Sequence, residues 1–216
     1  MLKHSSMYKT LISALISLFI LSGCSNINDL SETLDPAQQS LEPDQWQSHL
    51  KNIEQIKHWK LSGKVGVVTP KQSQTGYIDW QQDIQSFNIS IRGTLGFGGL
   101  DLFGDQSFVT IKVDENNQRT LPTDIALERY LDWEFPINSL KYWVKGIPAP
   151  EHPVDLRQFN NHGLLSRLNQ QNWDIRLLNY EKHKSESSNP VFLPHKIIAR
   201  YNGHKVSLVL SDWSLN

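Results

Sequence analysis

The feature that most restricts this chain is a change of period at Trp59. Ahead of it, Trp46, Leu50, Ile53 and Ile56 recur at helical spacing; beyond it, Leu61, Gly63, Val65 and Val67 alternate with Lys60, Ser62 and Lys64. Residues three or four apart share one side of a helix, whereas strict alternation places them on one face of a strand whose other face meets water. The alternation returns after each short polar break. Residues 70–75 read as a hairpin loop, 76–80 as the return strand and 81–85 as a second turn, after which Phe87, Ile89 and Ile91 alternate with Asn88, Ser90 and Arg92. Further strands are expected at 100–103, 108–113, 164–168, 173–178, 197–201 and 206–210, with turns at 104–105, 114–117 and 169–172 and a polar loop at 181–190. Asn202-Gly203 is the clearest hairpin signal, since both residues tolerate positive φ. Breaks this short leave no room for crossover helices, so the strands form an antiparallel meander and the fold class is mainly β with added helix.

Helical stretches interrupt the meander. Asp44 is placed to cap the first helix, with Gln47 in the capping-box position. Pro122 and Thr123-Asp124 end the sheet pattern and open a short helix with Ala126, Leu127, Tyr130 and Leu131 on one side. Asn138 is the expected cap of another, whose stripe is Leu140, Trp143, Val144 and Ile147. Gly146 suits a left-handed C-terminal turn, and Pro148, Pro150 and Pro153 forbid continuation. Such stripes are read as core packing. His49 and His58 are not spaced i, i+4 and make no metal clip.

The N-terminal 23 residues have another logic. Lys3 and Lys9 precede an apolar run at 11–21, roughly half the ~20 residues that span a bilayer, and the run ends in Leu21-Ser22-Gly23-Cys24. A charged head, a short apolar core and small residues suit a secretory signal. An uncleaved anchor would need a longer run, and an ordinary exported thiol would lack a disulfide partner, because Cys24 is the only cysteine. The order Leu-Ser-Gly-Cys resembles a bacterial lipobox, which implies cleavage before Cys24 and its acylation. Ser25, in place of an Asp that resembles an inner-membrane retention signal, favours the outer membrane. Residues 25–41 are polar and aperiodic, a tether. The expected division is a signal peptide at 1–23, an acylated N-terminus and tether at 24–43, and one folded domain at 44–216.

Composition excludes several classes. Removing Lys3 and Lys9 with the leader leaves 19 Lys and Arg against 22 Asp and Glu, a charge of about −3, which is no electrostatic footprint for nucleic acid. There is no Gly-x-Ser-x-Gly or His-Glu-x-x-His, and the eight histidines are scattered, so neither an enzyme, a metal nor a cofactor is expected. The stretch Gly93-Thr94-Leu95-Gly96-Phe97-Gly98-Gly99 is anomalous, because turns rarely carry two large apolar side chains. A phosphate cradle would need a Lys or Ser/Thr and a following helix, which are missing; a turn folded back onto the core remains open on these residues alone.

The segment Pro136-Ile137-Asn138-Ser139-Leu140-Lys141-Tyr142-Trp143-Val144-Lys145-Gly146-Ile147-Pro148 resembles the Pro-Leu/Ile-Asn-Ser-Leu-x-x-Trp-x-x-Gly-x-Pro signature of the LolB family of outer-membrane lipoprotein receptors. The helix ending near Trp59, the Trp80-Gln81-Gln82 corner and the closing Asp212-Trp213 match in order. The resemblance implies a large, incompletely closed antiparallel barrel-like sheet with a helical lid over an apolar cavity, for which Tyr130, Leu140, Trp143 and Val144 are the lid or lining candidates. It implies a monomer that accepts acylated lipoproteins from the periplasmic carrier LolA and inserts them into the lipids of the inner leaflet of the outer membrane. Leu95 matches the family's exposed leucine, which makes Gly93, Leu95, Gly96 and Phe97 the membrane-insertion loop; here Gly93-Thr94 replaces the family's Asn-Pro. The alternative is a structural or assembly lipoprotein that binds protein partners without a lipid pocket.

Overall fold

A computed structural model describes residues 44–93, 98–123, 125, 126, 129, 136–185 and 189–216. Gln38–Asn216 form one compact unit. Helix α1 (Asp44–Gln55) leads into β1 (His58–Val68), β2 (Ser73–Asp83), β3 (Ser86–Gly93), β4 (Gly99–Gly104), β5 (Phe108–Asp114) and β6 (Asn117–Pro122). Helix α2 (Ile137–Trp143) precedes β7 (Val154–Phe159), β8 (Leu165–Gln170), β9 (Trp173–His183), β10 (Val191–Tyr201) and β11 (His204–Leu215). All strands belong to one 11-stranded sheet in the order β6-β5-β4-β3-β2-β1-β11-β10-β9-β8-β7. The chain therefore starts in the middle of the sheet, meanders to one edge, crosses by way of α2 to the other edge and meanders back until β11 pairs with β1. Among the described residues β6 and β7 are the two edges of the sheet and do not pair with each other, so the sheet is incompletely closed, as the family resemblance implied.

Alternation along the strands produces the core. Leu61, Val65, Ile78, Trp80, Ile89, Leu102, Ile111, Ile175, Ile197 and Leu208 are buried on one face, joined by Trp46, Ile53 and Ile56 of α1 and by Ile137, Leu140 and Trp143 of α2. The opposite face carries polar and charged residues such as Lys64, Asp79, Ser90 and Arg176, interspersed with the exposed Tyr77, Phe103, Leu178 and Val209. Thr123, Ile125, Ala126 and Arg129 are helical, with Thr123 and Ala126 buried; Leu127, Tyr130 and Leu131 lie outside the described residues.

Several boundaries differ from expectation. Strand β2 runs through Gln81 and Gln82 to Asp83, because the Gln82 amide is satisfied in place: its Oε1 accepts from Trp80 Nε1 at 3.2 Å and its Nε2 donates to the Ile84 carbonyl at 3.2 Å. The turn shrinks to Ile84 and Gln85, with Ile84 at φ 52°. Likewise the β8–β9 turn contracts to Gln171 and Asn172, both at positive φ, and 181–183 stay in β9. Edge strands β6 and β7 carry no alternation strong enough to announce them. Asn138 does not cap α2: Pro136 occupies the cap position and its carbonyl accepts from the amides of Ser139 and Leu140 at 3.1 and 3.0 Å.

The register of β1 against β11 shifts between Ser62 and Gly63, leaving Ser211 as the extra residue opposite. At this bulge the backbones approach so closely that a Cβ on Gly63 would lie 2.3 Å from the Val209 carbonyl oxygen and 2.8 Å from Leu210 Cα. Only glycine fits. Gly63→Ala is expected to destabilise the fold by about 1–3 kcal/mol, measured as a lower urea midpoint; an unchanged midpoint would show that the two strands can separate at no cost.

Candidate functional site

A cavity of about 1030 Å³ lies between the inner faces of β1, β2, β3, β4 and β11 and the helix α2. Its walls are apolar: Val65, Ile78, Ile91, Leu102 and Leu208 come from the strands, and Ile137 and Leu140 from α2. Polar groups gather at one end. There the β1–β2 hairpin supplies Thr69, Lys71, Gln72 and Gln74, the β10–β11 hairpin supplies His204, and Gly93, Gly98 and Gly99 supply the stem of the glycine-rich loop. The Thr69 hydroxyl fixes the first of these hairpins by accepting from the amides of Lys71 and Gln72 at 3.2 and 3.1 Å. The Gly93 amide donates to the Gly98 carbonyl at 3.2 Å and closes the loop stem at the rim. A second, shallower depression of about 500 Å³ is bordered by Lys60, Asp79, Gln81 and Asp212 together with Trp80 and Trp213.

What holds α2 over the cavity is a buried amide. Gln170, at the end of β8, is fully buried. Its Oε1 accepts from Trp143 Nε1 and from the Ala149 amide, both at 2.9 Å, and its Nε2 donates to the carbonyls of Ala149 and His152, both at 2.8 Å. One side chain thus ties β8 to the helix and to the proline-rich segment behind it. Ser139 adds a hydroxyl bond to Gln171 Oε1 at 2.6 Å. Trp143 packs on Trp173 with ring centres 6.3 Å apart, and Trp173 stacks on Tyr201 at 5.3 Å. Gly146 ends the segment at φ 77°, where a Cβ would meet the Tyr180 hydroxyl at 2.5 Å. That hydroxyl donates to the Leu165 carbonyl at 2.6 Å, and burial pushes its pKa up.

Of the residues singled out from sequence, Leu140 borders the cavity and Gly93 stands at its rim. Trp143 and Val144 are buried in the core behind the wall. Cys24, Leu95, Gly96, Phe97 and Tyr130 lie outside the described residues. Sequence reading missed Ile137, the wall positions of β1 and β11, and Gln170. The β1 and β11 positions were present in the alternating pattern, but only the pairing of these two strands makes them neighbours; Ile137 opens α2, three residues ahead of Leu140. Gln170 carried no distinguishing signal, being one of four polar or charged residues among the six of β8.

Lys145 is the most costly group near the lid. Burial, reinforced by the nearby charges of Lys57 and Lys141 and opposed by Glu54, lowers its pKa to about 8. Its Nζ lies 3.5 Å from the Ile56 carbonyl and 5.8 Å from the Tyr142 ring.

Chemically the cavity can do one thing well. It has no nucleophile–base pair among its walls, and no cluster of three metal-binding side chains occurs among the described residues. Its size is at the upper end of small-molecule sites, and its apolar walls suit hydrocarbon.

Comparison with known proteins adds a second line. The family described as outer membrane lipoprotein LolB matches residues 57–213. The chain is 31% identical to the outer-membrane lipoprotein LolB of Nitrosococcus oceani over 93% of this chain and 95% of that one. To its counterpart in Cellvibrio japonicus it is 29% identical over 97% and 98%. Among solved structures, a LolA-superfamily protein from Nitrosomonas europaea aligns over 79% of this chain and 93% of its own at 10% identity, with a TM-score of 0.47.

Two measurements test the site's construction. Gln170→Ala orphans the Trp143 indole and the Ala149 amide and is expected to cost on the order of 3 kcal/mol, read as a lower denaturation midpoint; no change would remove the amide from its role. For Lys145 the folded pKa of about 8 lies below the ordinary 10.5, so folding penalises the charged form fully below pH 8. Between these values the unfolded chain binds more protons and stability rises with pH. Lys145→Met is therefore expected to be more stable at pH 7 by on the order of 2–3 kcal/mol, an advantage that fades as pH climbs towards 10.5. A difference independent of pH would contradict the assignment.

Proposed function

The chain belongs to the LolB family of outer-membrane lipoproteins, and from that premise we propose that it takes acylated lipoproteins from the periplasmic carrier LolA into its cavity and releases them into the outer membrane. The observation that carries this reading is the apolar cavity walled by β1–β4, β11 and α2. Exposing acyl chains to water costs about 0.8 kcal/mol per methylene, so three chains demand a protein host during transit. An apolar cavity with a polar rim supplies that host and lets the soluble part of the cargo stay in water. No bond is made or broken. Transfer runs downhill when the cavity holds acyl chains better than the carrier does and the bilayer holds them better still, a sequence of differential affinities that needs no nucleotide. The protein acts as a monomeric receptor and not as an enzyme.

In this scheme residues 1–23 are removed, Cys24 carries the acyl chains that fix the protein to the inner leaflet of the outer membrane, facing the periplasm, and 25–41 give it reach. The rim carries the stem of the glycine-rich loop, which supports a delivery role for that loop. Leu95, aided by Phe97 and by the freedom of Gly93 and Gly96, enters the bilayer interface; full burial of each large side chain contributes roughly 1.5–3 kcal/mol, enough to bias docking and little enough to release.

The test mixes a carrier-bound lipoprotein with residues 38–216. Acceptance is expected without Cys24, since the cavity lies wholly in that unit. Ile91→Glu, which puts a carboxylate in the wall, is expected to reduce acceptance at least tenfold, because the charge resists leaving water. Leu95→Glu is expected to accept cargo normally and fail to insert it into vesicles. A folded 38–216 unit that takes up no acylated cargo would sink the proposal, and normal insertion by Leu95→Glu would remove the loop from it.

A further inference from the structure

The outer face of the sheet carries an ordered row that the cavity does not use. Pairing registers align Arg92 of β3, Tyr77 of β2, Lys64 of β1, Val209 of β11, Lys196 of β10 and Leu178 of β9. Cationic and apolar side chains alternate along it over roughly 24 Å, at one strand spacing per step. Tyr77 is 52% and Val209 51% exposed, and Leu178 is also exposed. Lys64 Nζ sits 5.9 Å over the Tyr77 ring. Arg92 is paired with Asp101 at 2.7 Å, whereas Lys64 and Lys196 form no ion pair among the described residues.

Charge also changes sign along the strands. Towards the cavity rim the same face adds Arg200 and Lys205, which pair with each other in register. Two residues further from the rim, Ser62 pairs with both Asp79 and Asp212, and Asp79 pairs through Ser90 to Asp101, an acidic row. The face is therefore mainly basic in its rim half, where Asp174 stands opposite Arg200, and mainly acidic behind, where Lys112 stands opposite Asp101. An anionic plane approached by the rim would attract the first and repel the second, which orients the molecule with its opening towards that plane.

We propose that this row is a docking surface for the anionic headgroups of a phospholipid bilayer. Interleaving decides between a bilayer and an acidic protein. A tyrosine and aliphatic side chains set between lysines match the headgroup boundary, where aromatic rings rest at the interface and lysines bury their stems while keeping the ammonium in water. Each lysine adds attraction that is screened within a Debye length. The surface is separate from the cavity, so it acts whether or not the cavity takes acyl chains.

The test measures sedimentation of residues 38–216 with vesicles of phosphatidylethanolamine and phosphatidylglycerol, against vesicles of phosphatidylcholine alone. Binding is expected to the anionic vesicles, to weaken with added salt, and to fall roughly tenfold in the double variant Lys64→Glu with Lys196→Glu. Tyr77→Ser with Val209→Ser, which keeps every charge, is expected to weaken it several-fold; near-ultraviolet circular dichroism checks that both variants remain folded. Equal binding to the two kinds of vesicle, or a charge-reversed variant that binds as well as the parent, overturns the proposal. So does a charge-reversed variant that keeps its vesicle binding but no longer receives cargo from the carrier, since the row would then be a protein interface. Failure of acyl uptake with vesicle binding intact leaves the surface standing and removes the receptor reading.

Discussion

The ladder between β1 and β11 is the interaction on which the rest depends. These strands are nearly the first and last elements of the folded unit, and their pairing converts two meanders into one sheet. Both strands contribute wall: Val65 and Val67 from one, Val206 and Leu208 from the other, all bordering the cavity. Loss of this pairing would open the floor of the cavity and leave each meander with an unpaired apolar strand. The closeness of the two backbones at Gly63 is the cost of that arrangement. It is met with the one residue that has no Cβ, and the bulge at Ser211 absorbs the register shift.

An apolar cavity of this size is energetically anomalous, since apolar side chains normally pack to the density of an organic crystal. It persists here because its walls are held from outside it. The sheet fixes one side by hydrogen-bonded ladders. On the other, the buried Gln170 makes four hydrogen bonds, one to Trp143 of α2 and three to Ala149 and His152 of the segment behind it. Trp143 is then placed as a structural post that carries Leu140 and Ile137 to the wall. The aromatic chain Trp143, Trp173 and Tyr201 continues the support into β9 and β10. Behind this scaffold Lys145 stays buried at some cost to stability, close to the junction of α1 and β1. The structure shows no benefit that offsets it.

Much of this was legible in the sequence for a physical reason. Antiparallel strands with one face buried write their geometry as alternation, and the pattern from Leu61 to Ile91, over 173–178 and from Ile197 to Leu210 could be read directly, whereas the strand residues 179–183 and 191–196 were not read as such. The stripe of α2 and the positive φ of Gly146 followed in the same way from helical spacing and the proline run beyond. Edge strands β6 and β7 were not legible, because an edge with few inward apolar residues looks like a loop until its partner is known. Turn lengths at Ile84 and Gln171 were overestimated, since glutamines read as surface residues when their partners are unseen. The cavity was reachable only by resemblance. Alternation says that Val65 and Leu208 face inward, but nothing local says that the space between them and α2 is left unfilled.

The central claim is that acylated cargo occupies this cavity during transfer. Photo-crosslinking in living cells tests it most directly, with a photoreactive residue at Ile91 or Leu100 in the wall and at Val209 on the outer face. The account predicts that the wall positions crosslink to lipoproteins and that crosslinking ceases when acylation of the cargo cysteine is blocked, while Val209 yields none. Absence of wall crosslinks with a folded, anchored receptor, or equal crosslinking from Val209, would contradict it.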